Sequence, residues 1–152
     1  MTSGDTTQVA RQLEAAFKAG PDAAQSTLAA LYAESVELRH VPAFPSDGPI
    51  DGVRLRESSH REAAAIRNAI PDYDYDDVQV VTVGERVHVK AFIRGTLGTG
   101  SSVRLLSEMY CSVRDERIVG VEHHMDNDTL VAWVEVAEAG GLRVPDELLD
   151  QG

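Results

Sequence analysis

Apolar residues recur at helical spacing in the first part of the chain. Val9, Leu13, Ala16 and Phe17 form one stripe, and Ala24, Leu28, Leu31 and Tyr32 form a second. Thr6 or Thr7 can cap the first helix, which leaves residues 1–5 to fray, and Gly20-Pro21 stops it. Asp22 is the expected cap of the second helix. The period then changes to two, with Val36, Leu38 and His40 on one face of a strand over 35–41. Residues 42–52 hold Pro42, Pro45, Pro49, Gly48 and Gly52, and their turn chemistry predicts a loop without requiring a site. A helix over 53–70 ends at Pro71. Four strands follow, over 73–83, 87–93, 102–113 and 117–126, with reversals at 84–86, 95–100 and 114–116. A final helix runs from a cap at Asp128 through Val131, Trp133, Val134 and Val136 to Gly140-Gly141, leaving 141–152 as a tail. The order ααβαββββα predicts one α+β domain over 6–140, with helices covering one face of an antiparallel sheet.

Two strands carry a residue that does not fit its row. Val119, Val121 and Met125 share a face with His123, and Val36 and Leu38 share one with His40. An imidazole in an apolar row needs a hydrogen-bond partner or serves a pocket, because burying it unpaired costs about 1–3 kcal/mol. If both rows line one cavity, the two histidines meet there. Matching the apolar row Val103, Leu105, Met109, Cys111 and Val113 to the last strand through a three-residue loop sets Ser107 opposite His123. The alternative register turns Glu108 and Tyr110 inward. Glu116 stands where that loop usually takes glycine.

Composition narrows the partners. The 152 residues are 43% hydrophobic and 26% charged, as in a folded globular protein. A net charge of −11 repels phosphate backbones and anionic lipid, so nucleic-acid and membrane-surface partners are not expected. A lone cysteine, Cys111, excludes an internal disulfide and a multi-cysteine zinc site, and with no signal-like or membrane-spanning run it fits a cytoplasmic protein.

Other motifs have plainer explanations. His124, Asp126 and Asp128 are metal-ligand types, yet Asp128 serves as a helix cap and His124 faces outward, so no metal is expected. Cys111 lies in an apolar row and reads as packing. Gly95 to Gly100 lacks the lysine and following helix of a phosphate loop. Tyr73 to Asp77 reads as a solvated edge whose tyrosines pack inward or against a partner, while His60 and His88 are peripheral.

The order of elements, with Leu31-Tyr-Ala-Glu-Ser-Val-Glu-Leu-Arg-His40 entering the sheet and Val113-Arg-Asp-Glu-Arg-Ile-Val119 near its end, resembles the nuclear-transport-factor-2-like superfamily, and SnoaL-like proteins within it. The resemblance covers roughly residues 8–140 and rests on loose patterns of residue type. It implies a cone-shaped, curved antiparallel sheet with helices enclosing an apolar pocket, and a homodimer through the outer sheet face. Aligned through Tyr32-Ala33, His40 falls where ketosteroid isomerases carry a carboxylate base. Counted from Arg117-Ile118, His123 falls about where SnoaL-like cyclases carry an aspartate, and Asp126 closes its strand at a position often acidic in them. Leu13 stands in place of the isomerases' oxyanion tyrosine, which counts against steroid isomerisation, and no Arg and Asp pair matches the epoxide hydrolases.

The expected function is a small cofactor-free cyclase or isomerase of secondary metabolism acting on an apolar, carbonyl-bearing, polyketide-like substrate. His40 is the expected base and His123 the acid or orienter, with Asp126 as a further catalytic candidate. Leu13, Phe17, Tyr32, Leu38, Ser107, Met109, Val121 and Met125 are the expected substrate-binding residues. Substrate folding alone can also remove much of an entropic barrier. The contrasting reading is a noncatalytic small-molecule-binding or dimerisation module.

Overall fold

The computed structural model describes residues 4–143. Helices α1 (Gly4–Ala19) and α2 (Pro21–Leu31) lead into strand β1 (Tyr32–Val41). Strand β2 (Gly48–Asp51) and helix α3 (Gly52–Ala69) follow. Then come β3 (Asp74–Val83), β4 (Arg86–Thr96), β5 (Ser102–Arg114), β6 (Arg117–His124) and helix α4 (Asn127–Ala139). The six strands form one curved, unclosed sheet in the order β2-β1-β6-β5-β4-β3.

The α+β architecture matches the sequence reading, with differences that have local causes. Gly4 and Asp5 already belong to α1, residues 1–3 lie outside the described residues, and so does the expected tail from residue 144 on. Asp22 does not cap α2. Gly20 stands at that N-cap without a side-chain bond and Pro21 opens the helix, where its missing N–H costs nothing. Strand β2 was hidden by Pro49, which is tolerated because β2 is an edge strand. Asp51 ends it and caps α3, accepting from the Val53 amide at 2.8 Å. The sheet is mixed rather than antiparallel throughout, because β1 and β6 pair in parallel.

The last hairpin keeps the expected faces by a different route. Its turn holds two residues, Asp115 and Glu116, at φ 52 and 60, and Arg114 pairs with Arg117. A two-residue hairpin turn of this twist requires positive φ at both positions. A bulge near Val119 restores the phase, so Met109, not Ser107, lies opposite His123, and Glu108 and Tyr110 face outward. The same bulge makes Ile118 rather than Val119 the fully buried residue of the row. Asp77, at φ 52, re-phases β3 in the same way, so that Tyr75 on one side of it and Val78 and Val80 on the other pack against the core.

The main core lies between α1, α2 and the inner sheet face, where Leu13, Val36, Val87, Val89, Cys111 and Ile118 are buried. Each such aliphatic side chain stabilises the fold by about 1.5–3 kcal/mol. A second cluster joins α3 to the ends of β4 and β5 through Ile66, Ile70, Ile93 and Leu105. Gly140 lets α4 close on α3, since a Cβ there would collide with the Ala65 carbonyl oxygen. The last carbonyls of α2 receive arginines from elsewhere in the chain: Arg56 donates to Ala29 O and Tyr32 O, and Arg117 to Ala30 O. Among the described residues no helix is long and apolar enough to cross a membrane.

Candidate functional site

A cavity of about 150 Å³ lies between the inner sheet face and the pair α2 and α3. Tyr32, Ser107, Met109, Val121 and His123 line it from β1, β5 and β6. Phe17 enters from α1, and Pro21, Gln25 and Leu28 from α2. From α3 come Leu55, Arg56, Ser59, Glu62 and Ile66, and Tyr73, Tyr75 and Ile93 complete the wall. Most of these groups are apolar. The polar ones are few and converge.

His123 points into this space, as its row required. Burial, and to a lesser degree the neighbouring His40 and His124, lower its pKa to about 4, with Asp47 opposing. At neutral pH it is therefore an uncharged imidazole. His40 lies behind it rather than in the cavity wall: the two rings stack with centroids 5.4 Å apart. The other face of His40 lies on the Phe44 ring at 3.7 Å.

The loop between β1 and β2 contains the partner of His40. His40 Nδ1–H donates to Asp47 Oδ1 at 2.6 Å, and the His40 and Phe44 amides donate to Asp47 Oδ2 at 2.8 and 3.0 Å. Burial raises the Asp47 pKa, but these three bonds outweigh it and the net shift is downward. The carboxylate thus fixes the orientation of the His40 ring through Nδ1, which is how a positioning imidazole is held. The loop expected over 42–52 is shorter, since β2 takes 48–51 and α3 begins at Gly52, and Asp47 at its end is a site residue that reading missed.

Glu62 is the other residue missed. It lines the cavity from α3, where burial raises its pKa against a hydrogen bond from Trp133 Nε1 at 3.2 Å. Its signal was present in the sequence. Leu55, Glu62, Ile66 and Ala69 fall at helical spacing on one stripe, and Glu62 is the misfit in it. Of the two placements expected for the tyrosines of 73–77, the inward one holds: Tyr73 and Tyr75 face the cavity, and Tyr73 OH donates to Tyr75 OH at 3.2 Å.

The remaining expected residues are placed elsewhere. Leu13 is fully buried in the core between α1 and the sheet, and Leu38 packs against that core, neither reaching the cavity. Met125 packs with Leu130 and Phe44 under α4. Asp126, rather than Asp128, caps α4: it is exposed and accepts from the Thr129 amide at 2.7 Å, a bond that lowers its pKa. His124 bonds Glu122 at 2.7 Å on the outer face, beside a His88–Glu108 pair at 2.8 Å. Cys111 is buried and its thiol pKa is pushed up to about 12 by burial, as a packing residue requires.

No protein-family model matches the chain, and no curated protein matches it. Solved structures do. An NTF2-like protein of unknown function from Burkholderia pseudomallei superposes with a TM-score of 0.56 at 19% identity, over 87% of this chain and 98% of the other. A candidate SnoaL-like polyketide cyclase from Jannaschia sp. CCS1 gives 0.58 at 13% identity, over 88% and 92%. An LEH-like epoxide hydrolase from M. tuberculosis gives 0.57 at 16% identity, over 88% and 94%. The chain therefore has the NTF2-like fold that its element order resembled. Different chemistries occur on this fold, so function has to be argued from the cavity.

Proposed function

We propose that the cavity is an acid–base site for an apolar carbonyl compound of about one ring's size, and that the protein is a small cyclase or isomerase. The observation that carries this reading is His123, an uncharged imidazole facing a largely apolar cavity and backed by the His40–Asp47 pair. The roles first expected are exchanged. His123 abstracts a proton next to the carbonyl, the C–H electron pair becomes the enolate double bond, and the carbonyl π pair moves onto oxygen. Returning the proton to another carbon isomerises the compound, while attack of the enolate carbon on a second carbonyl closes a ring. The Asp47 charge favours the imidazolium formed in the first step, against burial and the His40 ring beside it.

Cavity size limits the substrate. A space of about 150 Å³ holds one benzene-sized ring. A longer polyketide-like chain requires α2 to move from α3, across bonds that include Gln25 to His60 at 3.1 Å and Arg67 to Asp22 at 3.1 Å. Solvent-deuterium exchange at the α-carbon of single-ring ketones, cyclohexanone, cyclohexenone and cyclohexane-1,3-dione, followed by NMR, tests the proposal. The protein is expected to accelerate exchange in at least one, and His123→Ala to remove about 100-fold or more of the effect. Saturable binding without acceleration of any ketone replaces catalysis with noncatalytic ligand binding. Pairing of two copies through the outer sheet face is a separate proposal, which sedimentation measures.

A further inference from the structure

Besides the histidine, the cavity is lined by two polar groups that the proton abstraction does not use, Tyr75 and Glu62. Tyr75 accepts a hydrogen bond from Tyr73 OH at 3.2 Å and keeps its own proton, for which no acceptor is present among the described residues. Its ring is fixed by stacking on Phe17, with centroids 5.0 Å apart. Tyr73 is fixed in turn by the Arg67 guanidinium, 5.0 Å over its ring and bonded to its carbonyl at 3.1 Å. Glu62 faces the same space and takes the Trp133 indole N–H on one carboxyl oxygen. Among the described residues it has no Lys, Arg or His ion-pair partner. An unpaired carboxylate in such a place is costly, whereas a carboxylic acid is a donor.

We propose that the Tyr75 hydroxyl and the Glu62 carboxylic acid form an oxygen-binding pole of the cavity, taking the carbonyl, enolate or phenolic oxygen of a single-ring ligand, with Tyr73 as the positioning residue for Tyr75. The inference rests on the proposed function in naming the ligand, and it supplies what that reaction lacks, donors aimed at the oxygen where negative charge develops. Burial raises the Glu62 pKa, which favours the protonated form this requires; burial raises that of Tyr75 as well, and the Tyr73 bond acts against that rise by polarising the Tyr75 O–H as a donor.

The probe is 4-nitrophenol, whose visible absorbance reports both binding and the ionisation of the bound molecule. With the full-length protein, Tyr75→Phe is expected to weaken binding about 10-fold, the loss of one hydrogen bond to a charged group. Glu62→Leu is expected to do the same, and Glu62→Gln, which keeps a donor and the Trp133 partner, to restore most of it. Tyr73→Phe should weaken binding less, about 3-fold, while lowering the ionised fraction of the bound probe, a change that loss of packing alone does not produce. Unchanged affinity and ionisation in Tyr75→Phe and Glu62→Leu overturn the inference, even if ketone exchange by His123 persists. Exchange absent with these affinities altered as expected would instead remove the proposed reaction and leave the oxygen site standing. A 4-methylbenzylammonium ion that binds more tightly than the phenol, and loses that affinity in Glu62→Gln, would make Glu62 a counter-ion and also overturn the inference.

Discussion

Replacing His123 with glutamine should flatten the acid side of the stability curve, and the structure gives the size of the effect. In the unfolded chain the imidazole titrates near 6.5, while in the folded chain burial and the His40 ring beside it hold the value at about 4. Between these two values the unfolded state binds the extra proton, so stability must fall as pH falls, being whole above 6.5 and reduced by the full difference below about 4. At about 1.4 kcal/mol per pH unit, that difference is about 3 kcal/mol. Going from near pH 7.5 to near pH 5 should cost the native protein about 2 kcal/mol from this group alone. Titratable groups remote from His123 remain in the variant and cancel when the two curves are subtracted. Urea unfolding at both pH values, for the native protein and His123→Gln, measures the subtraction. Equal pH dependence in the two proteins would mean that His123 is not held neutral, and the uncharged base in the cavity would lose its basis.

Three other outcomes follow from named contacts. Asp126→Ala should lower stability by about 1 kcal/mol through loss of the α4 cap while leaving ketone exchange unchanged, and collapse of exchange would return Asp126 to the reacting groups. Gly140→Ala drives a methyl group into the Ala65 carbonyl and should cost about 1–3 kcal/mol in thermal unfolding. Gly98→Ala, with open space around it, should stay within about 0.5 kcal/mol of the native protein. Cys111, buried and with its thiol held as the protonated form to about pH 12, should not react with a disulfide reagent at mildly alkaline pH until the protein is unfolded by urea.

Periodicity revealed most of the elements and part of the cavity wall for one physical reason: inward rows are selected for burial, so a misfit in a row is visible. His123 was found in that way. Glu62 obeys the same logic at a period of 3.6 on α3, between Leu55 and Ile66, but a helix rich in alanine and charge has a shallow pattern and the misfit was passed over. Strand phases were less legible, because bulges at Asp77 and Val119 each move the inward row by one residue. That is why Val119 rather than Ile118 reads as core. Asp47 was hidden for a different reason. It lies seven residues from His40 in a loop without period, and only the antiparallel return of β2 along β1 brings it back to the imidazole. A partner fixed by chain reversal leaves no trace in spacing, so the sequence can offer the histidine but not the charge that orients it. The same limit applies to the oxygen pole, which joins α3 to β3 across the cavity and exists only once α3 has folded over the sheet.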